Sequence, residues 1–321
     1  MSRVHDALRK AEQMLDTPLD RSGGGQAGPE EGEHNSLVVA DESGLTSTPG
    51  GELDFPASEE LASQGAGIIR RESRELQVDW RSFLSRCPTI PFKPAPEAHL
   101  MGADGGDHGG PSEEFRSLRT RLNHMQSMQD LHCIVVTSAS PAEGKTFTAC
   151  NLALAQAQLE SPVLLADLDL RRPVMHNQFQ CDRVPGFSDF VLGEKPLEEC
   201  VRRVEGTNLY LLPAGSQVRN PLELLNMRQV KYSLDALRKV FNWVILDTPP
   251  LLFSADANLL ATMTDGTIIV VRIGSTTYDN VIRAMQSLCE NNVLGIVANG
   301  ARAGELYSKY TYYYTKGDEE E

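Results

Sequence analysis

The stretch CIVVTSASPAEGKTFTACNLALAQAQ, residues 133–158, decides the fold of this chain. The apolar run Cys133–Thr137 has strand character, and a short loop separates it from a stretch of helical periodicity. Gly144, Lys145 and Thr146 stand where the loop meets the helix. In such an arrangement, backbone N–H groups of the loop and the N-terminus of the helix hold phosphate groups. The stretch therefore predicts a phosphate-binding loop.

The residue types in this loop predict a nucleoside triphosphate as the ligand. Lys145 would reach the β- and γ-phosphates, and the Thr146 hydroxyl would coordinate Mg²⁺. The match to the pattern GxxxxGK[ST] is imperfect, because Ala139 stands at the position of the first glycine. A GKT triplet after a strand can also arise by coincidence, so its context matters. We expect the following residues to hold the nucleotide: Ala142, Glu143, Gly144, Lys145, Thr146 and Phe147.

Two carboxylate motifs follow later apolar runs and strengthen this prediction. In VLLADLDLRRP, residues 163–173, Asp167 and Asp169 lie on the same side of an extended chain, with Arg171 next in that alternation. In WVILDTPP an apolar strand ends at Asp247. An open α/β sheet binds its ligands at the carboxyl ends of its strands. Either motif alone could be a helix N-cap or a turn, but three such motifs together predict Mg-ATP binding.

From about residue 111, short apolar runs alternate with stretches of helical periodicity. This alternation predicts one α/β domain of the P-loop NTPase kind, with a mostly parallel sheet and helices on both faces. The expected strands are Cys133–Thr137, Val163–Asp167, Leu209–Pro213, Trp243–Asp247, Thr267–Arg272 and Leu294–Asn299. The expected helices lie near 145–158, 221–240, 254–263 and 277–290.

The composition disfavours several classes of protein. With 30 Lys+Arg against 44 Asp+Glu, the chain has a net charge of −14 and no basic run, which disfavours a general nucleic-acid binder. It has no apolar run long enough for a transmembrane helix, and MSRVHDALRKAEQ lacks the apolar core of a signal peptide, so we expect a cytoplasmic protein. The six cysteines form no CxxC pair, which argues against a disulfide framework and a zinc site.

Residues 1–110 differ in composition from the rest of the chain. They are rich in Gly, Ser, Pro and Glu, which predicts a mostly disordered N-terminal region. Two apolar islands, at 2–15 and 76–92, interrupt this region, and each could be a docking helix or a transient amphipathic helix. The predicted ATP-binding domain covers 111–303, and a flexible tail covers 304–321.

The sequence resembles the bacterial tyrosine kinases (BY-kinases) of capsule and exopolysaccharide systems, which are deviant P-loop ATPases. Besides the loop, the motifs DLDLRRP and DTPP match the family, as do three later stretches: 212–225, 265–277 and 293–300. The resemblance covers about 111–321. Members also lack the first loop glycine, but Ala142 departs from their usual Gly in P-G-E-G-K. The opening MSRVHDALRKAE also resembles tyrosine autokinases linked to exosortase-type exopolysaccharide loci.

The resemblance implies a subunit interface and partners. Glu113, Arg116 and Arg119 match the family's E-x2-R-x2-R oligomerisation pattern, although this spacing could equally be the solvated face of a helix. The implied assembly is a homo-oligomeric ring in which the tail of one subunit enters the site of the next. The implied activator is a transmembrane polysaccharide chain-length regulator, which would recruit the protein to the inner face of the cell membrane.

The C-terminal stretch YSKYTYYYTKGDEEE contains five of the eight tyrosines. These residues could form an edge strand or a docking tail, but we favour phosphate acceptors. Each phosphate would add about −1.5 to −2 charge, so a heavily phosphorylated tail beside DEEE would be repelled from an acidic site. The expected acceptors are Tyr307, Tyr310, Tyr312, Tyr313 and Tyr314.

The residues and the resemblance together predict phosphoryl transfer from ATP to tyrosine. Lys145 would hold the phosphates, and Asp167 would orient and deprotonate the phenol. The resemblance implies that Arg171 and Arg172 balance phosphate or acceptor charge and that Asn299 contacts adenine. The two arginines could instead form surface ion pairs, and Asn299 could be a turn residue. The expected ligands of Mg²⁺, direct or through water, are Thr146, Asp169 and Asp247.

Two other functions fit parts of the sequence. Partition or cell-division-site ATPases share the architecture, but they use a second lysine early in the loop, and SASPAE contains none. A non-catalytic, nucleotide-dependent scaffold for polysaccharide synthesis is the other alternative. The presence of Lys145, Asp167, Asp169 and Asp247 argues against it. We therefore predict an ATP- and Mg²⁺-dependent protein-tyrosine autokinase that regulates exopolysaccharide or capsule synthesis.

Overall fold

An eight-stranded sheet is the centre of the computed structural model, which describes residues 80–102, 112–288 and 293–301. The strand order is β1-β4-β5-β3-β6-β2-β7-β8, and neighbouring strands run parallel except for β4 and β5. The strands are β1 (Thr89–Ile90), β2 (Cys133–Ser138), β3 (Val163–Asp167), β4 (Arg202–Val204), β5 (Leu209–Leu212), β6 (Trp243–Asp247), β7 (Gly266–Arg272) and β8 (Val293–Asn299).

Helices connect these strands and cover both faces of the sheet. They are α1 (Trp80–Arg86), α2 (Ser112–Met128), α3 (Lys145–Ala157), α4 (Met175–Gln178), α5 (Phe187–Val191), α6 (Leu197–Cys200), α7 (Pro221–Leu225), α8 (Arg228–Leu237), α9 (Ala255–Ala261) and α10 (Tyr278–Ser287). A 3₁₀ turn covers Pro96–Ala98.

Two apolar cores lie on opposite faces of the sheet, and strand β7 contributes to both. Ile268 and Val270 join the core beneath α2 and α3, whereas Ile269 and Val271 join the core beneath α9 and α10. Successive side chains of a strand point to opposite faces, so an unbroken apolar run is what a doubly covered strand requires. The predicted fold class, a mostly parallel sheet covered on both faces, is confirmed.

Helix α3 is the central helix of the first face. Almost every residue from Thr146 to Ala157 is buried, because the helix lies between the sheet and α2. The apolar residues of α2 recur at spacings of three and four, which places one stripe of the helix against this core. That stripe consists of Phe115, Leu118, Leu122 and Met125. Burial on all sides fixes the position of the N-terminus of α3.

The six expected strands are all present, and the differences from expectation lie in the short elements. The single helix expected over 221–240 is divided into α7 and α8, since Asn226 and Met227 interrupt it. Strands β1 and β4 and helices α4, α5 and α6 were not predicted. They have between two and five residues, which is too short for a hydrophobic period to be recognised.

Residues 80–102 extend the folded domain beyond the boundary expected at 111. Strand β1 pairs with β4 in the sheet, and Phe83, Leu100 and Met101 are buried. Part of the apolar island at 76–92 is therefore helix α1 and strand β1 of this domain. The expected island at 2–15, the tail at 304–321 and most of the N-terminal region lie outside the described residues.

No helix of the described residues is both long and apolar enough to cross a membrane. Cys87, Cys133, Cys150 and Cys200 are buried free thiols, and Cys181 is a half-buried one.

The order of the central strands brings the three sequence motifs together. Strands β3, β6 and β2 are neighbours and run in the same direction, so their carboxyl ends meet at one edge of the sheet. β2 leads into the phosphate loop, while β3 ends at Asp167 and β6 ends at Asp247. This edge is where an open α/β sheet binds ligands.

Candidate active site

The phosphate loop, residues 139–144, turns sharply before α3 begins at Lys145. Gly144 has φ +95°, a left-handed conformation that favours glycine, and a Cβ atom there would also collide with the Asn299 side chain. As the N-cap of α3, Gly144 offers no side chain to the free N–H groups of the first turn. These N–H groups and the positive end of the helix dipole suit an anion such as phosphate.

Two side chains of α3 tie its first turn to the ends of the central strands. Lys145 Nζ donates to Asp169 Oδ2 at 2.8 Å, and both side chains are largely buried. Thr146 Oγ1 donates to Asp247 Oδ2 at 2.5 Å. The structure therefore brings together the lysine, the hydroxyl and the carboxylates that the sequence placed in three separate motifs.

Three carboxylates lie side by side at this edge, and all are almost completely buried. Asp167 is directly opposite Asp247 in the sheet register, and Asp169 follows two residues after β3. Asp167 accepts the backbone N–H groups of Asp169, at 3.2 Å, and Met175, at 3.1 Å. Asp247 Oδ1 is buried and has no hydrogen-bond partner. Lys145 is the cation that the described ion pairs place beside them, so three ionised carboxylates would leave a net negative charge.

This crowding shifts the protonation equilibria of the site. Burial raises the pKa of Asp247 to about 6. Burial and the neighbouring Asp247 raise the pKa of Asp167 well above its ordinary range. Burial alone would lower the pKa of Lys145, but the carboxylates of Asp247 and Asp169 raise it above its ordinary value. The lysine therefore stays charged, while Asp247 and Asp167 hold protons more readily than free aspartates.

The donor set fits a magnesium ion that is shared with a nucleotide. A hard cation prefers oxygen ligands, and the orphaned Oδ1 of Asp247 belongs to the same carboxylate whose Oδ2 accepts from the Thr146 hydroxyl. Mg²⁺ usually takes only one or two protein ligands and completes its shell with phosphate oxygens and water. Accordingly, no group of three or more His, Cys, Asp or Glu side chains in the described residues could hold a metal ion alone.

Arg171 lies at this edge but is already engaged within the chain. Its guanidinium forms a two-pronged pair with Asp256, at 2.7 and 3.0 Å, and its Nε also donates to Ser254. The alternative of an ion pair therefore describes Arg171 in this structure. Sequence reasoning missed Ser254 and Asp256. Ser254 is the N-cap of α9 and accepts from Asp256 N, a serine and aspartate signal that could have been recognised. The backbone N–H of Arg172 donates to Asp169 Oδ1 at 3.0 Å.

The remaining residues expected to hold the nucleotide have different surroundings. The Glu143 carboxylate accepts from Ser140 N and from the Thr276 hydroxyl, so its contacts are to the chain itself. The Phe147 ring packs edge-on against Phe115, with centroids 5.8 Å apart. Phe147 therefore has only its backbone N–H available for a phosphate.

Asn299 lies beside the phosphate loop. Its Nδ2 donates to the Glu143 carbonyl oxygen at 2.9 Å, and its Oδ1 accepts from Gly300 N. The expected contact between Asn299 and adenine stays a prediction.

The residues expected at a subunit interface lie on the first half of α2. Glu113 pairs with Arg116, one turn away on the helix. Arg119 Nη1 donates to the carbonyl oxygen of Ala155 at 2.9 Å and to Gln158 Oε1 at 3.0 Å, which fastens α2 to the end of α3. Arg119 thus has an intramolecular role, and the interface stays a prediction. The five tail tyrosines, expected at 307–314, lie outside the described residues.

Comparisons with known proteins agree with this geometry. A model of the AAA domain matches residues 132–290. The tyrosine-protein kinase YwqD of Bacillus subtilis (strain 168) is 34% identical to this chain over 207 residues, which are 64% of this chain and 87% of that protein. The chain belongs to the bacterial tyrosine-protein kinases. The predicted family and enzyme class, a protein-tyrosine kinase, are thereby confirmed.

Other members of this kinase family are much longer or are known as isolated domains. The tyrosine-protein kinase ptk of Acinetobacter johnsonii is 34% identical over 164 residues, which are 51% of this chain but only 22% of that protein. The solved kinase domain of the Escherichia coli tyrosine kinase ETK is 30% identical, with a TM-score of 0.60. The match covers 63% of this chain and 81% of that domain. The shared part is therefore the nucleotide-binding kinase domain.

The raised carboxylate pKa values predict how stability depends on pH. An aspartate whose pKa is higher in the folded than in the unfolded chain stabilises the fold below about pH 4, and that stabilisation is lost as the pH rises. In the absence of nucleotide and divalent cations, we expect the free energy of unfolding to fall by on the order of 2 kcal/mol between pH 4 and pH 7 through Asp247 alone. Urea denaturation of wild-type protein and Asp247→Asn would measure this. The variant should show a weaker pH dependence, and equal slopes would contradict the account.

The backbone of Ala142 predicts a stabilising substitution. Ala142 has φ +62°, a left-handed conformation that disfavours any residue with a Cβ atom. Ala142→Gly should therefore increase stability by about 0.5–1 kcal/mol, measured by urea denaturation. Ala139→Gly is the control, because Ala139 is a buried residue of the same loop without a positive φ, and it should lose stability. A destabilised Ala142→Gly variant would show that the alanine is not strained.

Proposed function

We propose that this kinase transfers the γ-phosphoryl group of Mg-ATP to the tyrosines of its C-terminal tail. The observation that supports this best is the convergence of Lys145, Thr146 and the orphaned Asp247 oxygen at the uncapped N-terminus of α3. These groups provide positive charge and N–H donors for phosphates together with oxygen ligands for a cation. The partition-type ATPase and the scaffold alternatives are less favoured, because the chain belongs to a kinase family.

The chain's own residues have separate parts in this reaction. Lys145 exchanges part of its contact with Asp169 for the phosphate oxygens, and the N–H groups at the start of α3 bind the same phosphates. Thr146, Asp169 and Asp247 would hold Mg²⁺ directly or through water. Bound Mg²⁺ would neutralise negative charge on the phosphate oxygens.

Asp167 is the proposed general base for the acceptor phenol. Backbone N–H groups hold both of its oxygens in place. Only the ionised carboxylate can take the phenol's proton, and the raised pKa of Asp167 makes that ionised form a stronger base than an ordinary aspartate. Arg171 and Arg172 would balance phosphate charge at the mouth of the site. Arg171 must loosen its pair with Asp256 to do so. We propose that Asn299 also contacts adenine.

We propose that transfer takes place between subunits of a ring, with Glu113, Arg116 and Arg119 at the interface. Strand β8 ends at Asn299 beside the phosphate loop, and Tyr307 follows eight residues later. Reach alone does not decide between transfer within and between chains, since eight extended residues span about 26–29 Å. The family's oligomerisation pattern favours transfer between chains.

The proposed cellular role is control of exopolysaccharide or capsule synthesis. Its support is the resemblance to kinases of those systems. We propose that a transmembrane chain-length regulator activates the kinase and recruits it to the inner face of the cell membrane.

Removal of Lys145 tests the reaction directly. Wild-type protein incubated with Mg-ATP should acquire phosphotyrosine within 302–321, and Lys145→Met should lose at least about a hundredfold of it, measured by mass spectrometry. Lys195→Met is the matched control, because Lys195 is a surface lysine that pairs with Glu199. Wild-type protein without tail phosphotyrosine, or a Lys145→Met variant that still acquires it, would refute the proposal.

A mixing experiment tests transfer between chains. Lys145→Met protein supplies an intact tail without an active site, and a variant with all five tail tyrosines changed to Phe supplies the reverse. We expect the mixture to place phosphate on the tail of the Lys145→Met chain at a rate that rises with concentration. Intact wild-type protein whose rate is independent of concentration, together with an unlabelled mixture, would indicate transfer within one chain.

A further inference from the structure

Four side chains connect the phosphate loop to the ends of β7 and β8, and we refer to them as the loop clamp. They are Glu143, Arg272, Thr276 and Asn299. Glu143 belongs to the loop itself, whereas the others come from the ends of β7 and β8 and from the turn after β7. Lys145 and Thr146 hold the opposite side, toward β3 and β6.

Glu143 is the centre of the loop clamp. It is only 2% exposed, although it stands in a surface loop. One carboxylate oxygen accepts from Ser140 N at 2.9 Å and closes the loop upon itself. The other accepts from Thr276 Oγ1 at 2.5 Å. Because a buried carboxylate without partners is costly, these bonds fix how the loop can fold.

Thr276 is oriented by the turn that follows β7. Its hydroxyl accepts from Arg272 N at 2.8 Å while it donates to Glu143, so the hydrogen-bond direction is determined. Gly274, with φ +78°, allows the turn to bring Thr276 back toward the strand end. The Arg272 guanidinium adds a bond to the Ala142 carbonyl oxygen at 3.2 Å. The turn thus contacts two consecutive loop residues.

The loop needs such external support because its own backbone is unfavourable. Ala142 and Gly144 both have positive φ, and Ala142 bears a Cβ atom. Asn299 and Arg272 bind the carbonyl oxygens of Glu143 and Ala142, so these oxygens point toward β7 and β8. When the carbonyl oxygens point one way, the planar peptides direct their N–H groups the other way.

We propose that Thr276 is a positioning residue for nucleotide binding, which acts through Glu143 to orient the N–H groups of the phosphate loop. This proposal rests on the proposed function, because the bound ligand is the nucleotide. Thr276 contacts neither Lys145 nor the three aspartates in the described hydrogen bonds. Its loss should therefore weaken nucleotide binding and leave the chemical step largely intact.

Calorimetric titration with Mg-ADP tests the role of Thr276. Thr276→Val removes the hydroxyl at constant shape, and we expect the Kd of Mg-ADP to rise about tenfold. The KM for ATP should rise similarly, while kcat changes by less than about threefold. Thr276→Ser retains the hydroxyl and should restore the wild-type Kd.

The neighbouring Thr277 provides a matched control. Its hydroxyl accepts from Asn280 N as the N-cap of α10, and none of the described hydrogen bonds joins it to the loop. Thr277→Val should lower the melting temperature and leave the Kd of Mg-ADP unchanged. A change in Kd for Thr276→Val but not for Thr277→Val would therefore separate loop positioning from general stability.

Three results would overturn the proposal. An unchanged Kd in Thr276→Val would show that the loop clamp is only structural. Equal increases of Kd in Thr276→Val and Thr277→Val would assign the effect to the start of α10. Wild-type protein that binds no Mg-ADP would refute the proposed function, and the role of Thr276 in nucleotide binding would fall with it. The first two results, by contrast, would refute only the role of Thr276.

Discussion

Buried negative charge at the ends of β3 and β6 is the constraint on which the site depends. Adjacent parallel strands end in Asp167 and Asp247, with Asp169 two residues further, and Lys145 is the one cation that the described ion pairs place beside them. Such an arrangement is unfavourable unless protons or cations balance it. Burial raises the pKa of Asp247 to about 6, so below about pH 6 a proton on this carboxylate balances part of the charge in the free protein. A metal ion and a rearranged lysine would serve in the nucleotide complex.

The phosphate loop and the start of α3 place positive charge and hydrogen-bond donors opposite these carboxylates. Helix α3 directs its uncapped N-terminus and its first two side chains at the carboxylates. Its nearly complete burial prevents it from tilting away. The loop clamp holds the preceding residues in left-handed conformations that would otherwise relax. On this proposal, nucleotide affinity would depend on two separate sets of contacts, one toward β3 and β6 and one toward β7 and β8.

The sequence predicted the parts of this site that short-range rules describe. The apolar runs before Asp167 and Asp247 and the GKT triplet each have a local pattern, and parallel strand order then brings them together. The engagement of Arg171 with Asp256 and of Glu143 with Thr276 could not be predicted, because the partners are 85 and 133 residues apart. The left-handed backbone of Ala142 could not be predicted either, although the family resemblance showed that members usually have glycine at this position. Short edge elements such as β1 depend on packing against β4 and have no period of their own.

The proton balance of nucleotide binding tests the central claim most directly. Titration of Mg-ADP near pH 6, in buffers of different ionisation enthalpy, measures how many protons the protein releases on binding. If the cation replaces protons on the buried carboxylates, wild-type protein should release more protons than Asp247→Asn, beyond the release from the nucleotide itself. Equal proton release by the two proteins, with equal affinity, would show that Asp247 neither holds a proton in the free site nor faces the metal in the complex.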